Sequence, residues 1–472
     1  MEPSSGYTAR MVLNVVLLKL NTRADEIIPP LSLGYLAASA PRHAVSILDA
    51  QKEALDDGGI VRRLREARAD VLGVQVWTKD LPQARGLLAR VRRDLPGVVT
   101  VVGGVQPSVM PLETYAFFGQ ELDFLFAGEA EAGFPLWLDA VAAGVEDFGH
   151  VPGLVWRRDG QAQSNPASAL ADLDSLAPPR WDLMPPDSYP PAPHGAFFNQ
   201  FPVAPMITSR GCPFSCTFCS APMLSGRSIR FRSLDNVFEE VELLSGRFGV
   251  RELHIEDDNF SLHKDYVLGF CERMRRLGRS LSWAFPNGVR LDTLDAEMLA
   301  AMSRAGCYAL NFGIESGDDE TLRRIKKKLT TAQIRERLAL VRKFDFQVGG
   351  FFIIGFPWET EGHIENTIEF ARSLDLDLAG FSFFQPFPGT ELARELAAAG
   401  EFDMDLASFN TSLHTISYVP RAMTRQTLFD LRHKAMRRFY LRPRTALTIL
   451  RRAKNPRHWY FIARRGWRWL TQ

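Results

Sequence analysis

The chain has 472 residues, 46% apolar and 24% charged, with 56 Lys and Arg against 55 Asp and Glu. That length and composition suit an ordinary globular protein of two or three domains. No apolar run approaches the roughly 18–20 residues of a membrane span, no basic segment leads into an apolar core at the N-terminus, and five cysteines with three clustered argue against a disulfide framework, so a cytoplasmic protein is expected.

Residues 11–140 alternate strand-like and helix-like runs. Strands are expected at Met11–Leu20, Val45–Asp49, Asp70–Val76, Val98–Gly103 and Leu122–Phe126, with helices such as Gly59–Ala67 and Pro82–Asp94 between them. This reads as a parallel, doubly wound α/β sheet over residues 1–145. Ligands of such sheets bind beyond the carboxyl ends of the strands. Those ends carry Pro30, Leu33 and Gly34, then Trp77 and Thr78, then Gly103 and Gly104, then Gly128 and Glu129. Paired glycines let backbone approach a bulky ligand. No Gly-x-Gly-x-x-Gly follows the first strand, so a dinucleotide site is not supported. A degenerate, ligand-free Rossmann-like domain is the other reading.

Residues 146–195 read as a connector, with a small hairpin turning at Asp159-Gly160 and proline-rich extended stretches at Pro178-Pro179 and Pro185–Pro193. From residue 196 to 400 the alternation resumes. Strands are expected at Pro205–Ser209, His254–Glu256, Ser282–Pro286, Tyr308–Phe312, Gly349–Ile354 and Gly380–Gln385, with helices such as Leu234–Leu244, Asp295–Ala305 and Thr331–Phe344. Six βα units read as a partial TIM-type barrel whose chemistry sits at the carboxyl ends of the strands.

The first of those ends carries Cys212-Pro213-Phe214-Ser215-Cys216-Thr217-Phe218-Cys219. A closed structural zinc site or a pure electron-transfer cluster wants four protein ligands. Three thiolates on one loop leave one iron of a [4Fe–4S] cube open to an outside ligand. A zinc loop with a distant fourth ligand is the alternative, but Cys271 and Cys307 form no second pair. His194, His254, His363 and His414 have no metal-ligand spacing and read as structural.

Other strand ends carry Glu256-Asp257-Asp258, Asn311-Phe312-Gly313-Ile314-Glu315-Ser316-Gly317, Arg324–Thr330 with Lys327, Gly349–Pro357 with Gly355, and Pro386-Phe387-Pro388-Gly389. The acidic turn and the basic helix end could each be merely solvated. Phe351, Phe352, Phe383 and Phe384 could be barrel core, and alternation puts half of them there.

The cysteine loop, together with these segments in this order, resembles the radical S-adenosylmethionine (SAM) enzymes. Residues 10–145 resemble the cobalamin-binding domain that precedes many of their barrels. The match covers nearly 400 residues and is of the class B methyltransferase and anaerobic porphyrin cyclase type. The resemblance implies that Cys212, Cys216 and Cys219 hold a [4Fe–4S] cluster, with Phe218 beside the last ligand. It further implies that Asp257 and Asp258 meet the SAM amino group, Glu315 and Ser316 the ribose and methionine, Lys327 the carboxylate and Gly355 the adenine. Pro30, Leu33, Gly34, Trp77, Thr78, Gly103, Gly104, Gly128 and Glu129 would line the cobalamin site. The Asp-x-His-x-x-Gly motif is absent, so no protein histidine is expected on cobalt.

The implied activity is C-methylation of an unactivated carbon of a small-molecule, lipid or natural-product substrate, opened by a 5′-deoxyadenosyl radical, with a flavodoxin- or ferredoxin-type reductant. Radical cyclisation, oxidation or rearrangement without methyl transfer is the rival reaction. A non-catalytic cobalamin or iron–sulfur sensor is the rival class.

Residues 401–472 read as a basic helical region. Residues 421–472 hold 15 Lys and Arg against one acid, Asp430, which leaves 41 basic and 54 acidic residues in 1–420. Arginines alternating with Trp459-Tyr460-Phe461 and Trp467-Arg468-Trp469 fit a peripheral membrane segment. They fit better a helical cap pairing with the acidic body, which is the preferred reading. No nucleic-acid partner is expected.

Overall fold

The computed structural model describes residues 11–22, 27–191, 198–407 and 415–443, with 445 and 448. Its first body is a seven-stranded sheet. Strands Asn14–Lys19, Ala44–Asp49, Val71–Gln75, Val99–Gly103 and Phe124–Phe126 run parallel, with the second at the edge and the first between it and the third. These strands are nearly all apolar because both faces are covered, as parallel sheets require. Helices Asp57–Glu66 and Leu81–Asp94 bury Ile60, Leu64, Leu87 and Leu88 on one face. Helices Leu31–Ser39 and Gly133–Ala142 bury Leu33, Ala37, Phe134 and Trp137 on the other.

The hairpin expected inside the connector belongs to this sheet. Strands Leu154–Arg158 and Gln161–Ser164 add to its edge antiparallel to Phe124–Phe126. Its turn residues Asp159 and Gly160 both have positive φ, 52° and 78°, as a tight two-residue hairpin turn demands.

The second body is six parallel strands in sequence order: Val203–Met206, Glu252–Ile255, Ser282–Val289, Cys307–Glu315, Gln347–Ile354 and Leu378–Phe383. Helices Leu234–Arg247, Ala296–Arg304 and Thr331–Val341 start at Ser233, Asp295 and Thr330, each of which accepts a hydrogen bond from an amide in the first turn, the usual way to satisfy orphan donors. Trp283, Phe285, Phe260 and Phe270 fill the layer between strands and helices. Phe352, Phe383 and Phe384 are buried as well, whereas Phe351 is 37% exposed. Side-chain alternation along the strand separates Phe351 from Phe352.

A buried cluster ties the bodies together. Arg232 pairs with Glu240 at 2.6 Å and donates to the Tyr35 hydroxyl at 3.1 Å, while Trp181 of the connector donates to Glu240 at 3.0 Å. At the C-terminal side, helix Arg425–Tyr440 packs against the last barrel strand. Lys434 pairs with Glu365, and Arg438 with Glu369. Within residues 421–443 the basic region therefore caps the barrel. Its aromatic end, with His194 and His414, lies outside the described residues. No described helix is long and apolar enough to cross a membrane.

Candidate active site

The cysteine loop begins where it does because Gly211 has φ +107°, and a side chain there would collide with the Ser228 carbonyl. That close approach belongs to a short ribbon in which Ser209-Arg210 pairs antiparallel with Arg230-Phe231. The loop is then pinned by backbone. The Cys212 amide donates to Gly226 O at 3.1 Å, that of Thr217 to Ile325 O at 3.2 Å, and that of Leu392 to Thr217 O at 3.1 Å. Cys212, Cys216 and Cys219 are partly buried free thiols. Burial pushes the Cys219 thiol up to about 12, and the neighbouring Cys216 and Cys212 add to the rise. Burial raises Cys212 too. Buried thiols within Coulomb reach of one another hold their protons, and a bound metal would displace them. Among the described residues no three Cys, His, Asp or Glu side chains are arranged to share a single ion. Three thiols carried on one short loop are the donor set that would hold a [4Fe–4S] cube, one thiolate to each of three irons.

Sequence reasoning missed Arg290. It stacks on the Phe214 ring at 3.6 Å, pairs with Asp292 at 2.7 Å and donates to Lys327 O at 3.0 Å. Its position, directly after the third barrel strand, was the available signal.

The two aspartates of the acidic turn have different surroundings. Asp257 is fully engaged: it accepts from the Thr208 amide and hydroxyl, both at 2.6 Å, and from the Ser209 hydroxyl at 2.7 Å. Burial pushes its carboxyl up to about 6 against those donors. It therefore braces the end of the first strand. Asp258 and Glu256 instead line the cleft between the two bodies.

Glu315, at φ +68°, accepts from Lys327 Nζ at 2.8 Å, and both are buried. Gly313 beneath them leaves the room they fill. Ser316 is buried against Thr367 at 3.1 Å and accepts from the Asp318 amide. Gly355 has φ +89°, and Leu428 of the C-terminal helix stands 3.1 Å from where its side chain would begin. The space the sequence reading reserved there for a flat ring is occupied by Leu428 on that side. Glu359, also missed, accepts from the Gly355 and Phe356 amides at 2.7 and 3.0 Å. Phe218 meets Phe356 edge-on at 6.0 Å, and Phe356 stacks on Trp358 at 5.5 Å.

The cleft between the bodies encloses about 280 Å³ and opens to solvent. One wall is Leu33, Gly103, Gly104, Gly128 and Glu129, and the other is Ser209, Arg210, Glu256 and Asp258. Leu17, Val101, Phe126 and Phe134 give it an apolar floor. Gly104, at φ +113°, brings its backbone so close to Val76 O that a side chain would begin 2.9 Å from it. Glycine along one wall leaves the backbone open to close approach by a flat ring, the feature on which a cobalamin would rest here. Four expected residues lie off this lining. Thr78 is buried and donates to Gln106 at 2.8 Å, Trp77 is 49% exposed, Pro30 precedes helix Leu31–Ser39, and Gly34 packs on Pro179 and Met184 of the connector.

When bound, a [4Fe–4S] cluster supplies the electron that cleaves SAM, and cobalamin carries a methyl group. The protein's own part is geometric and electrostatic. The glycines make room, Asp258 and Glu256 offer carboxylates, and the buried Lys327–Glu315 pair sets a polar patch on the barrel wall.

The comparisons with known proteins follow the two bodies. The radical SAM superfamily matches residues 206–371, and the B12 binding domain matches residues 18–138. An uncharacterized methyltransferase of Pyrococcus horikoshii is 32% identical, over 89% of each chain. Cytidylyl-2-hydroxyethylphosphonate methyltransferase of Streptomyces wedmorensis is 29% identical, over 89% of this chain and 87% of that one. Anaerobic magnesium-protoporphyrin IX monomethyl ester cyclase of Cereibacter sphaeroides is 28% identical, over 88% of this chain and 67% of that one. The fold is shared with TsrM from Kitasatospora setae, a radical S-adenosylmethionine methyltransferase solved with cobalamin and a [4Fe–4S] cluster. Its TM-score is 0.69 at 19% identity, over 91% of this chain and 85% of that one. The chain belongs to the cobalamin-dependent radical SAM methyltransferase family, enzymes that use a [4Fe–4S] cluster, SAM and cobalamin.

Proposed function

We propose that the protein transfers a methyl group to an unactivated carbon of a small-molecule or lipid substrate held between its two bodies. One observation carries this reading. The glycine wall of the first sheet and the end of the cysteine loop's ribbon face each other across one cleft. A substrate there meets both halves of the chemistry at once, and such proximity is worth several orders of magnitude in rate. Cys212, Cys216 and Cys219 are the cluster ligands in this reading. Asp258 on the barrel wall, with Glu315, Lys327 and Arg290 at other barrel-strand ends, would meet SAM, and Leu33, Gly103, Gly104 and Gly128 would meet cobalamin. The electron comes from a reductant of the flavodoxin or ferredoxin kind, and the location is cytoplasmic.

Radical cyclisation is the second reading, favoured by the cyclase relative that covers 88% of the chain. Product stoichiometry separates the two. Methyl transfer consumes one SAM as methyl source and a second as radical source, so S-adenosylhomocysteine and 5′-deoxyadenosine form in about equal amounts. Cyclisation gives the nucleoside alone. Methyl-labelled SAM incubated anaerobically with cell extract identifies the substrate by mass shift, whereas an extract component that stimulates 5′-deoxyadenosine formation with no labelled product and no S-adenosylhomocysteine overturns methyl transfer.

A further inference from the structure

The ribbon that carries the cysteine loop sets Arg210 directly opposite Arg230. Like charges opposed on paired strands repel, and a ribbon of two residues a side has little else to hold it. Both side chains are largely buried, at 12% and 14% exposure, so water screens them poorly. The compensating anions come from the other body. Arg230 takes both oxygens of Glu129, at 2.6 and 2.9 Å. Arg210 stands 3.6 Å from the same carboxylate and 2.6 Å from Glu131. Its guanidinium also lies over the Tyr35 ring at 5.5 Å. Glu129 and Glu131 sit in the loop that follows the fifth strand of the first sheet, and both line the cleft. Burial alone would raise the Glu129 carboxyl, yet Arg230 and Arg210 hold it below its usual range. Arg210 immediately precedes Gly211 and Cys212.

The geometry points to Arg210 and Arg230 as positioning residues: their grip on Glu129 and Glu131 fixes the separation between the cysteine loop and the cobalamin wall. This rests on the reading of the cleft given above. Bidentate arginine–carboxylate pairs carry geometric as well as energetic specificity. They suit a joint that must hold two reacting centres in register, where a 1 Å error costs about 100-fold in rate. Without the two glutamates the paired arginines would drive the ribbon apart, and the loop's first cysteine would move with it.

The test uses the full-length holoenzyme with cob(II)alamin and the reduced cluster, whose separation is read by pulsed electron paramagnetic resonance. The wild type should give one narrow distance. Arg230→Gln should keep its iron content and its cobalamin spectrum but give a broadened distance, with 5′-deoxyadenosine exceeding S-adenosylhomocysteine at least several-fold. Arg230→Lys should restore part of the narrow distance. Glu129→Gln, made in the other body, should reproduce the broadening. In unloaded protein it should also quicken amide hydrogen exchange at residues 210–212, a readout that needs no cofactor. A narrow wild-type distance in either loaded variant, or unchanged exchange in Glu129→Gln, overturns the assignment. If the wild type makes no S-adenosylhomocysteine from its substrate while the variants still broaden the distance, methyl transfer fails and the clasp stands.

Discussion

Tyr440 spans both backbone groups of Ala379: its hydroxyl donates to the carbonyl at 2.8 Å, and the Ala379 amide donates to it at 3.2 Å. Ala379 belongs to the last barrel strand, which pairs with only one neighbour. A strand edge left open is an aggregation hazard, and covering it with a helix is one remedy. Here helix Arg425–Tyr440 supplies side chains in place of a seventh strand. Arg432 donates to Phe381 O at 2.9 Å. The same helix sends Leu428 against Gly355 at the active-site end of the barrel.

Tyr440→Phe removes the hydroxyl from both partners and leaves two partly buried backbone groups unmet. The expected loss is about 1–3 kcal/mol, read as a lower urea midpoint with an unchanged slope. A midpoint unmoved by Tyr440→Phe would remove the helix from its role as an edge cover.

Gly103 and Gly104 should respond differently to a methyl group. A side chain at Gly103 begins 3.8 Å from its nearest neighbour, an ordinary contact. Gly103→Ala should therefore fold with stability within about 0.5 kcal/mol of the wild type and bind hydroxocobalamin more weakly, because the added carbon enters the cleft. Gly104→Ala meets both a positive φ and a carbonyl 2.9 Å away, so it should cost at least 1–2 kcal/mol as well as cofactor binding. Full cobalamin binding by Gly103→Ala would place the macrocycle elsewhere.

Much of the architecture was legible because strands buried on both faces are short apolar runs between turn signals. Five parallel strands of the first sheet and six of the barrel lie within a few residues of their expected places. The hairpin at Asp159-Gly160 was legible as a turn, but its partner strand Phe124–Phe126 lies some 30 residues back, and local patterns carry no pairing information. Several features of the site were not legible, for one shared reason. Asp257 and Asp258 are adjacent in sequence, and only the fold turns one onto Thr208 and the other into the cleft. Leu428, from a helix 73 residues on, stands against one side of Gly355. Arg210 and Glu129 find each other across the two bodies. The cysteine loop was legible throughout, since its spacing is local.

The cluster assignment is tested by contrast between cysteines. Reconstituted protein should hold about four irons. Cys216→Ala should lose the cluster and all SAM cleavage. Cys271 is buried in the apolar core, so Cys271→Ala should keep its iron and lose only packing stability, about 1 kcal/mol. Retention of full iron content by a Cys212, Cys216 and Cys219 triple alanine variant would move the site to another set of ligands.

Glu359 makes the fold itself pH-dependent. Burial pushes its carboxyl up from 4.5 to about 7, the charge of Asp318 adds to the rise, and the Gly355 and Phe356 amides oppose it. An acid raised on folding binds its proton more tightly in the native state than in the unfolded one. Stability therefore falls as pH rises from about 4.5 to about 7 and levels off above. The expected loss from this one group is about 3 kcal/mol. Asp257, raised to about 6 by burial, contributes a loss of the same sign at slightly lower pH. Glu359→Gln keeps an acceptor oxygen for both amides but cannot ionise. Its second polar atom faces the same buried surroundings at every pH, so any fixed cost cancels in the pH dependence. The stability of Glu359→Gln relative to wild type should then climb by about 3 kcal/mol between pH 4.5 and 8, measured by urea denaturation at each pH. Parallel stability curves for the two proteins would mean that Glu359 does not titrate with folding, and that the loop at Gly355 is held the same way at every pH.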